Sequence, residues 1–211
     1  NINKLAWDKK ICELFGINID ILPKVCDSNS YFGETDFNGY FNKPIPIQGV
    51  LGDSNAALFA QGCFNKGMIK STYGTGSSVM MNIGDKPIFS KNGIVTSLGW
   101  GMDGKVNYVL EGNINYTGAV ITWLEKDLKL IKSPEETQAL AEQATPMDKT
   151  YLVPAFTGLG APYWDSKATG IITGITRTTG RAEVVRAALD SIAYQITDIV
   201  KAMSKDSGIG I

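Results

Sequence analysis

The stretch that decides the fold is GMIKSTYGTGSSVMMN, residues 67–82. Its two halves, residues 68–73 and 77–82, contain β-branched, aromatic and hydroxyl-bearing side chains, which favour strands. Between them, Gly74-Thr75-Gly76 has the composition of a tight hairpin loop. The stretch therefore predicts an antiparallel hairpin whose loop carries glycines and a hydroxyl group.

Two more strands and a long helix are predicted after this hairpin. Residues 94–99 and 105–110 have strand-like composition, and Asp103-Gly104 between them is a turn signal. Apolar residues recur at helical spacing over residues 181–204, which predicts an amphipathic helix. This order of elements predicts an α/β lobe, in which we expect a mixed sheet with helices outside it.

The segment before the hairpin is expected to contain a helix, a buried strand and a second helix. Residues 4–16 carry apolar side chains near one helical face and end in glycine, which predicts a short helix. Residues 47–51 are a short apolar run, interpreted as a buried strand that stops at Gly52-Asp53. Residues 56–60 then favour a helix.

Composition excludes several functional classes. The 211 residues include 20 basic and 21 acidic side chains, so no cationic excess marks a nucleic-acid or membrane partner. Apolar runs are far shorter than the roughly 20 residues of a membrane-spanning helix. Because the chain has no histidine, a proton acceptor has to be a carboxylate, lysine, tyrosine or cysteine. Three cysteines argue against a disulfide framework, and with no apolar leader we expect a cytoplasmic location.

The two ends suggest a piece of a longer chain. The sequence begins Asn1-Ile2-Asn3, without methionine. It finishes, at residues 206–211, with a helix stop followed by what resembles the first residues of a strand. We therefore expect that both ends were cut.

Asp53 and the loop at residues 74–76 are the positions best suited to chemistry. A carboxylate at a strand end is well placed to face a cleft, as a general base or as a metal contact through water. Glycines let a backbone approach phosphate oxygens closely, while amides and hydroxyls supply donors. The same residues also suit a helix N-cap and an ordinary β-turn, and local chemistry alone leaves these interpretations open.

Five segments together resemble the FGGY carbohydrate kinase family, and within it the glycerol kinase branch. They are GDSNAALF at 52–59, GMIKSTYGTG at 67–76, VNYVLEG at 106–112, VPAFTGLGAPYWD at 153–165, and GIITGITR at 170–177 leading into residues 187–195. The resemblance implies the ribonuclease-H/actin-like fold of sugar kinases, an α/β fold with the active site between two lobes. It also implies that the fold is incomplete here. Residues 1–61 would end the first, substrate lobe, and residues 62–211 would begin the second, nucleotide lobe.

The resemblance implies a role for each matching position. Asp53 matches the catalytic base, which would contact the substrate hydroxyl, take its proton and reach Mg²⁺ through water. The loop Gly74-Thr75-Gly76 matches a nucleotide phosphate loop, and Gly118, at a helix start, matches a further nucleotide contact. Thr122 occupies a position near the nucleotide that often carries glutamine.

Two positions expected at the substrate depart from the glycerol kinase pattern. Glycerol kinases usually follow the catalytic aspartate with glutamine, where this chain has Ser54. They usually place phenylalanine against the polyol, where this chain has Ser78. Both serines are shorter and would leave a larger, more polar pocket, unless Trp100 fills the space. A ketose, another sugar or a longer polyol is therefore expected to be a better substrate than glycerol.

The resemblance implies that the full-length protein transfers a phosphoryl group from Mg-ATP to a hydroxyl of a small polyol or sugar. Within the family, the alternative is a pentulose kinase such as a xylulokinase. The alternative of another class is a non-enzymatic binding module of the actin-like fold. Asp53 favours an enzyme, because a degenerate member has no reason to keep an acid there. The fragment alone is expected to be inactive, and a homo-oligomer of the full-length protein stays open.

Overall fold

The computed structural model describes residues 1–210, and short elements precede the central sheet. These are helix α1 (Lys9–Leu14), a 3-10 turn (Ile19–Ile21), an antiparallel ribbon of β1 (Gly33–Thr35) and β2 (Ile45–Ile47), and helix α2 (Asp53–Ala60). Helix α1 is shorter than the predicted residues 4–16. Asp8 caps it by accepting from the amides of Lys10 and Ile11, and Leu5 has a left-handed φ of 50°.

The prediction of a buried strand at residues 47–51 is wrong. Strand β2 ends at Ile47, is exposed throughout, and is followed by irregular backbone up to Asp53. The physical reason is a lack of strand partners. Within residues 1–210, β2 pairs with β1 alone, and the amide of Val50 donates to the carbonyl of Ser28 in a loop. Asp53 therefore begins a helix after an irregular segment.

A four-stranded sheet forms the centre of the fold. Its strands are β3 (Ile69–Tyr73), β4 (Ser77–Gly84), β5 (Val95–Met102) and β6 (Lys105–Ile114). They lie in the order β3–β4–β6–β5, and the predicted hairpin is formed by β3 and β4. Every neighbouring pair in this sheet is antiparallel, so the expectation of a mixed sheet is wrong for the described residues. The four strands follow one another without a crossover helix, which a parallel pair would require.

Two helices, a pair of short antiparallel strands and a long helix follow the sheet. They are α3 (Gly118–Lys126), α4 (Glu136–Ala141), β7 (Tyr151–Val153), β8 (Ile171–Thr173) and α5 (Arg181–Ser207). Helix α5 begins where it was predicted and extends beyond residue 204 to Ser207, and the following Gly208, with a left-handed φ of 68°, ends it. No helix within residues 1–210 is long and apolar enough to cross a membrane.

The two faces of the central sheet have different neighbours. Helix α5 packs on one face, where its Ile199 and Met203 join Val79 and Leu110 in the main core. Helix α2 packs on the other face, where Leu58 joins buried side chains of β4, β5 and β6. Alternation along the strands sends successive side chains to α5 and to α2. The α2 face holds the side chains discussed next.

Candidate functional site

Asp53 presents an exposed carboxylate at the start of α2. Gly52 is the N-cap, and Asp53 makes no capping hydrogen bond, so the N-cap alternative does not describe its role. Its Oδ1 accepts from the adjacent amide of Ser54 at 2.6 Å. Within residues 1–210, Oδ2 has no hydrogen-bond partner and the carboxylate forms no ion pair. One carboxylate oxygen is therefore free to accept a proton or a solvent-bridged cation.

Asn55 ties the first turn of α2 to the sheet. Its Nδ2 donates to the carbonyls of Leu98 and Gly99, both at 2.8 Å. These carbonyls lie where the pairing of β5 with β6 shifts, between Leu98 and Trp100. Such an irregularity leaves backbone groups unpaired within the ladder. Asn55 was not among the predicted site residues, although an amide two positions after Asp53 was a visible signal.

A row of polar side chains crosses the sheet on the α2 face. Thr72 of β3 is opposite Ser78 of β4, and Ser78 is opposite Asn113 of β6. Residues directly opposite in antiparallel strands point to the same side of the sheet. Met80, two residues along β4 from Ser78, packs in the core beneath α2. The row Thr72–Ser78–Asn113 therefore faces the side on which Asp53 lies.

Lys70 contacts this row directly and is influenced by the charge of Asp53. Its Nζ donates to Thr72 Oγ1 at 3.0 Å and to Ser78 Oγ at 3.3 Å. Lys70 is 4% exposed, and this burial lowers the pKa of its ammonium group. The nearby carboxylates of Glu111 and Asp53 oppose that shift by favouring the charged form. Lys70 thus contacts Ser78 directly and lies within electrostatic reach of Asp53, and the sequence reasoning had not singled it out.

A groove of about 730 Å³ opens beside Lys70 and Thr72. It runs between α2 and the edge strand β3, and Lys70 and Thr72 line it together with Cys63. Burial raises the pKa of the Cys63 thiol, and the charge of Lys70 opposes this effect. The groove is therefore wide enough to admit a small polar molecule beside Thr72.

The loop Gly74-Thr75-Gly76 is fixed against the start of α3 by its carbonyls. The carbonyl of Gly74 accepts from the amide of Gly118 at 2.9 Å, and the hydroxyl of Thr117 donates to the same carbonyl at 3.1 Å. The carbonyl of Thr75 accepts from the amides of Thr117 at 3.1 Å and Ala119 at 3.0 Å. These bonds satisfy the free amides of the first helical turn. The loop and α3 therefore form one unit.

Two glycines are required for this close packing. A Cβ atom at Gly118 would lie 2.5 Å from the carbonyl oxygen of Gly74, and one at Gly76 would lie 2.4 Å from that of Ile114. Within residues 1–210, the amides of Thr75 and Gly76 and the hydroxyl of Thr75 have no hydrogen-bond partner, and Thr75 is exposed. The loop thus directs the carbonyls of Gly74 and Thr75 towards α3 and keeps the amides of Thr75 and Gly76 free, while the amide of Gly74 donates to the carbonyl of Gly76 at 2.8 Å. Successive free amides in a turn suit an anion such as phosphate.

Gly118 and Thr122 lie beside the loop, but the amide of Gly118 does not point to an open ligand site as expected. The amide of Gly118 is occupied by the loop, so it is not available to a ligand as at an open helix N-terminus. What Gly118 offers is the absence of a side chain. Thr122 lies one turn further along, is exposed, and donates its hydroxyl to the carbonyl of Gly118 at 3.3 Å. Contact of both residues with a nucleotide stays a prediction.

Ser54 and Trp100 complete the set of residues considered for the substrate. Ser54 is half-buried in the first turn of α2, beside Asp53. Trp100 is 6% exposed and packs edge-on against Phe59, with 5.3 Å between ring centroids. Its partner on β6 is Asn107, six residues and roughly 20 Å along the strand from the partner of Ser78. Trp100 therefore does not fill the space beside Ser78.

Two family models match the chain. The model of the C-terminal domain of the FGGY family of carbohydrate kinases matches residues 69–211, and that of the N-terminal domain matches residues 1–60. Glycerol kinase of Carboxydothermus hydrogenoformans is 51% identical over 209 residues, which cover 99% of this chain and 42% of that protein. Glycerol kinase of Clostridium botulinum strain Langeland is 50% identical with the same coverage. The chain thus spans about 42% of the length of these relatives.

Solved structures of sugar kinases superpose on the chain. A crystal structure of Plasmodium falciparum glycerol kinase with ADP matches with a TM-score of 0.90 and 38% identity, over 100% of this chain and 42% of that one. A xylulose kinase of Lactobacillus acidophilus matches with a TM-score of 0.81 and 20% identity, over 96% of this chain and 41% of that one, a likeness of fold alone. The prediction of an incomplete sugar kinase fold is confirmed. The chain belongs to the FGGY family of carbohydrate kinases.

Proposed function

We propose that this chain is part of a kinase that transfers the γ-phosphoryl group of ATP to a hydroxyl of a small polyol or sugar. The observation that carries the proposal is a glycine loop that joins two strands of a polar row, on the sheet face covered by helix α2, which begins with the exposed acid Asp53. The loop at residues 74–76 joins the two strands that carry Thr72 and Ser78, so a phosphate on its amides lies within two residues of that row. Lys70 donates to Ser78 in that row, and burial lowers the pKa of its ammonium group while the charge of Asp53 acts to raise it. The relatives named glycerol kinase support the reaction class.

Asp53 is the general base of this reaction. The substrate hydroxyl donates to the free carboxylate oxygen, and the proton passes to Asp53 as the hydroxyl oxygen bonds to the γ-phosphorus. The bond from that phosphorus to the β–γ bridging oxygen breaks, and ADP leaves. A positioned base contributes roughly 10²- to 10⁴-fold to the rate. The remainder comes from positioning and charge neutralisation, as in other phosphoryl transfers.

The loop unit binds the nucleotide phosphates. The free amides of Thr75 and Gly76 and the hydroxyl of Thr75 are the donors, and the contacts to α3 hold them in place. Gly118 and Thr122 border the nucleotide beside the loop. The Plasmodium falciparum relative is described with ADP, which supports a nucleotide site in this fold.

Mg²⁺ supplies charge neutralisation on the phosphate oxygens when it is bound. Asp53 is the residue that would hold it, through water. Mg²⁺ is usually bound by one or two carboxylates, several waters and substrate phosphates, so a single exposed carboxylate fits such a contact. Within residues 1–210 no group of three or more cysteine, aspartate or glutamate side chains is arranged to hold a metal ion, and the chain has no histidine.

A pentulose kinase is the second candidate, and the polar row favours it. Ser78 has hydroxyl and amide neighbours where the glycerol kinase pattern would place an aromatic ring, and Trp100 lies too far away to replace that ring. A substrate longer or more hydroxylated than glycerol would occupy this space.

We also propose that residues 1–61 are the end of a substrate lobe and residues 62–211 the start of a nucleotide lobe, which the family-model spans support. A cytoplasmic location belongs to the same proposal.

A phosphorylation screen of the full-length protein tests this function. Purified protein is incubated with ATP and, separately, with glycerol, erythritol, xylulose and ribulose, while ADP release is followed. The same protein carrying Asp53→Asn controls for contaminating kinases. We expect ATP-dependent turnover, with the highest kcat/KM for a four- or five-carbon substrate. Absence of turnover with all four would overturn the reaction class, and a preference for glycerol would remove the second candidate.

A further inference from the structure

Lys70 is a buried cation without a close anionic partner. It is 4% exposed, and within residues 1–210 no carboxylate oxygen lies within 4.0 Å of its Nζ. Its hydrogen bonds go instead to neutral oxygens: Thr72 Oγ1 at 3.0 Å, Ser78 Oγ at 3.3 Å and the carbonyl of Ser78 at 3.5 Å. Desolvation lowers the pKa of the ammonium group. An apolar side chain of similar length would avoid this desolvation, so packing alone does not account for a lysine here.

The ammonium group determines how the two hydroxyls are oriented. A lysine ammonium carries three donors and no acceptor, so Thr72 Oγ1 and Ser78 Oγ both accept from it. Each hydroxyl then has its own proton left to donate in another direction. Within residues 1–210, neither hydroxyl donates to any protein group. Each hydroxyl can therefore donate its proton away from Lys70. Thr72 is exposed and lines the groove, and Ser78 lies half-buried opposite it on the neighbouring strand.

Asp53, at the start of the helix that packs on the same face of the sheet, supplies a hydrogen-bond acceptor. Its free carboxylate oxygen is an acceptor, and its charge is felt at Lys70. A polyol or sugar that donates one hydroxyl to Asp53 also has oxygens that can accept. The site therefore matches a molecule with two neighbouring functions, a hydroxyl that donates and a second oxygen that accepts.

We propose that Lys70 is a positioning residue that sets the hydroxyls of Thr72 and Ser78 as donors to a second oxygen of the acceptor substrate. This inference rests on the proposed kinase function and refines its substrate class. The substrate carries a hydroxyl or carbonyl oxygen near the reacting hydroxyl, and an analogue without that oxygen is rejected. A site built to hydrogen-bond a substrate oxygen discriminates strongly against an analogue that lacks it, because its own donors are then left unpaired.

A mutant cycle in the full-length kinase tests this role. The variants are Lys70→Met, Ser78→Ala, the double variant, and Lys66→Met as a control on an exposed lysine outside the groove. Lys70→Gln is a second replacement in case methionine impairs folding, which thermal unfolding monitors. For each variant, kcat and KM are measured for the best substrate, for its deoxy analogues and for ATP.

The expected result is a loss confined to the acceptor substrate. Lys70→Met should raise KM for that substrate by about 10-fold and reduce discrimination against one deoxy analogue by a similar factor, while KM for ATP changes less than about twofold. Ser78→Ala should do the same, and the double variant should lose little more than either single variant. Lys66→Met should match the wild type.

Two results would overturn the inference while leaving the kinase function intact. The first is a change in KM that is the same for the substrate and for every deoxy analogue, in both Lys70→Met and Lys70→Gln. Such a result indicates a structural role. The other is full additivity of the Lys70 and Ser78 effects, which indicates that the two residues act independently. A wild-type protein that phosphorylates no polyol or sugar would overturn the proposed function and this inference with it.

Discussion

Replacing Gly118 by alanine has two opposing effects, one on helix propensity and one on the contact with the loop. Alanine is the better helix former by roughly 1 kcal/mol, so propensity alone predicts a more stable α3. The added Cβ would lie 2.5 Å from the carbonyl oxygen of Gly74, which would have to retreat by about 0.9 Å to restore an ordinary contact. The 2.9 Å hydrogen bond from the amide of Gly118 to that oxygen would then exceed the usual 3.2 Å limit. We therefore expect the phosphate loop to shift while α3 stays folded.

The assay separates loop position from stability. A misplacement of about 1 Å at a substrate-positioning group reduces catalysis by up to about 10²-fold, so kcat/KM for ATP in the full-length kinase should fall by roughly 10- to 100-fold. Calorimetric titration should show weaker ADP binding, and the thermal midpoint should change little. Gly49→Ala is the matched control, because a Cβ there meets nothing within 4 Å. If Gly118→Ala binds ADP and turns over within about twofold of wild type, the loop–α3 unit does not position the nucleotide.

Three further changes test other parts of the account. Asn55→Ala should lower the free energy of unfolding by about 1–3 kcal/mol in urea titrations, because two carbonyls lose their donor, while Gln143→Ala on an exposed helix end should have little effect. The amides of Thr145 and Gly180 lower the pKa of Glu183 to about 2, so its contribution is present above about pH 4.5 and is lost as the pH falls towards 2. The Glu183 carboxylate caps α5 by accepting from the amide of Gly180, the N-cap residue, at 2.9 Å. Glu183→Gln should therefore lose less stability than wild type on acidification through that range, and identical acid profiles would contradict this capping role. The present chain by itself should bind ATP weakly or not at all, and a calorimetric affinity in the micromolar range would refute this.

Elements with strong local signals could be predicted from the sequence. Helix α5 has an apolar stripe over seven turns and a glycine at its end, and the hairpin of β3 and β4 has a glycine loop between strand-like halves. The prediction of a strand at residues 47–51 was wrong because the local sequence there indicates burial but not strand pairing. Apolar composition indicates burial in general, but a strand forms only where another backbone is available to pair with it. In the described residues, the backbone beyond Ile47 finds no strand to pair with, and the amide of Val50 donates instead to the carbonyl of Ser28 in a loop.

The candidate site was predictable only in part. Asp53 and the loop at residues 74–76 were identified through the resemblance to a family, since local chemistry alone left simpler interpretations open. Lys70 and Asn113 belong to the site through the register of three strands, and Asn113 is 35 residues from Ser78 in the sequence. Spacing along the chain does not reveal such a register. A lysine within a strand, two positions before Thr72, was the one visible hint.

Turnover by the Asp53→Asn variant of the full-length kinase tests the central claim most directly. The variant removes the proton acceptor and keeps the shape and the hydrogen bond from the Ser54 amide to Oδ1. Asp85→Asn, on an exposed aspartate away from the site, is the control. The account predicts that kcat falls at least about 10²-fold for Asp53→Asn, with ATP binding by calorimetry nearly unchanged and with Asp85→Asn at the wild-type rate. A kcat of Asp53→Asn within about threefold of wild type would contradict the account and remove Asp53 from the mechanism.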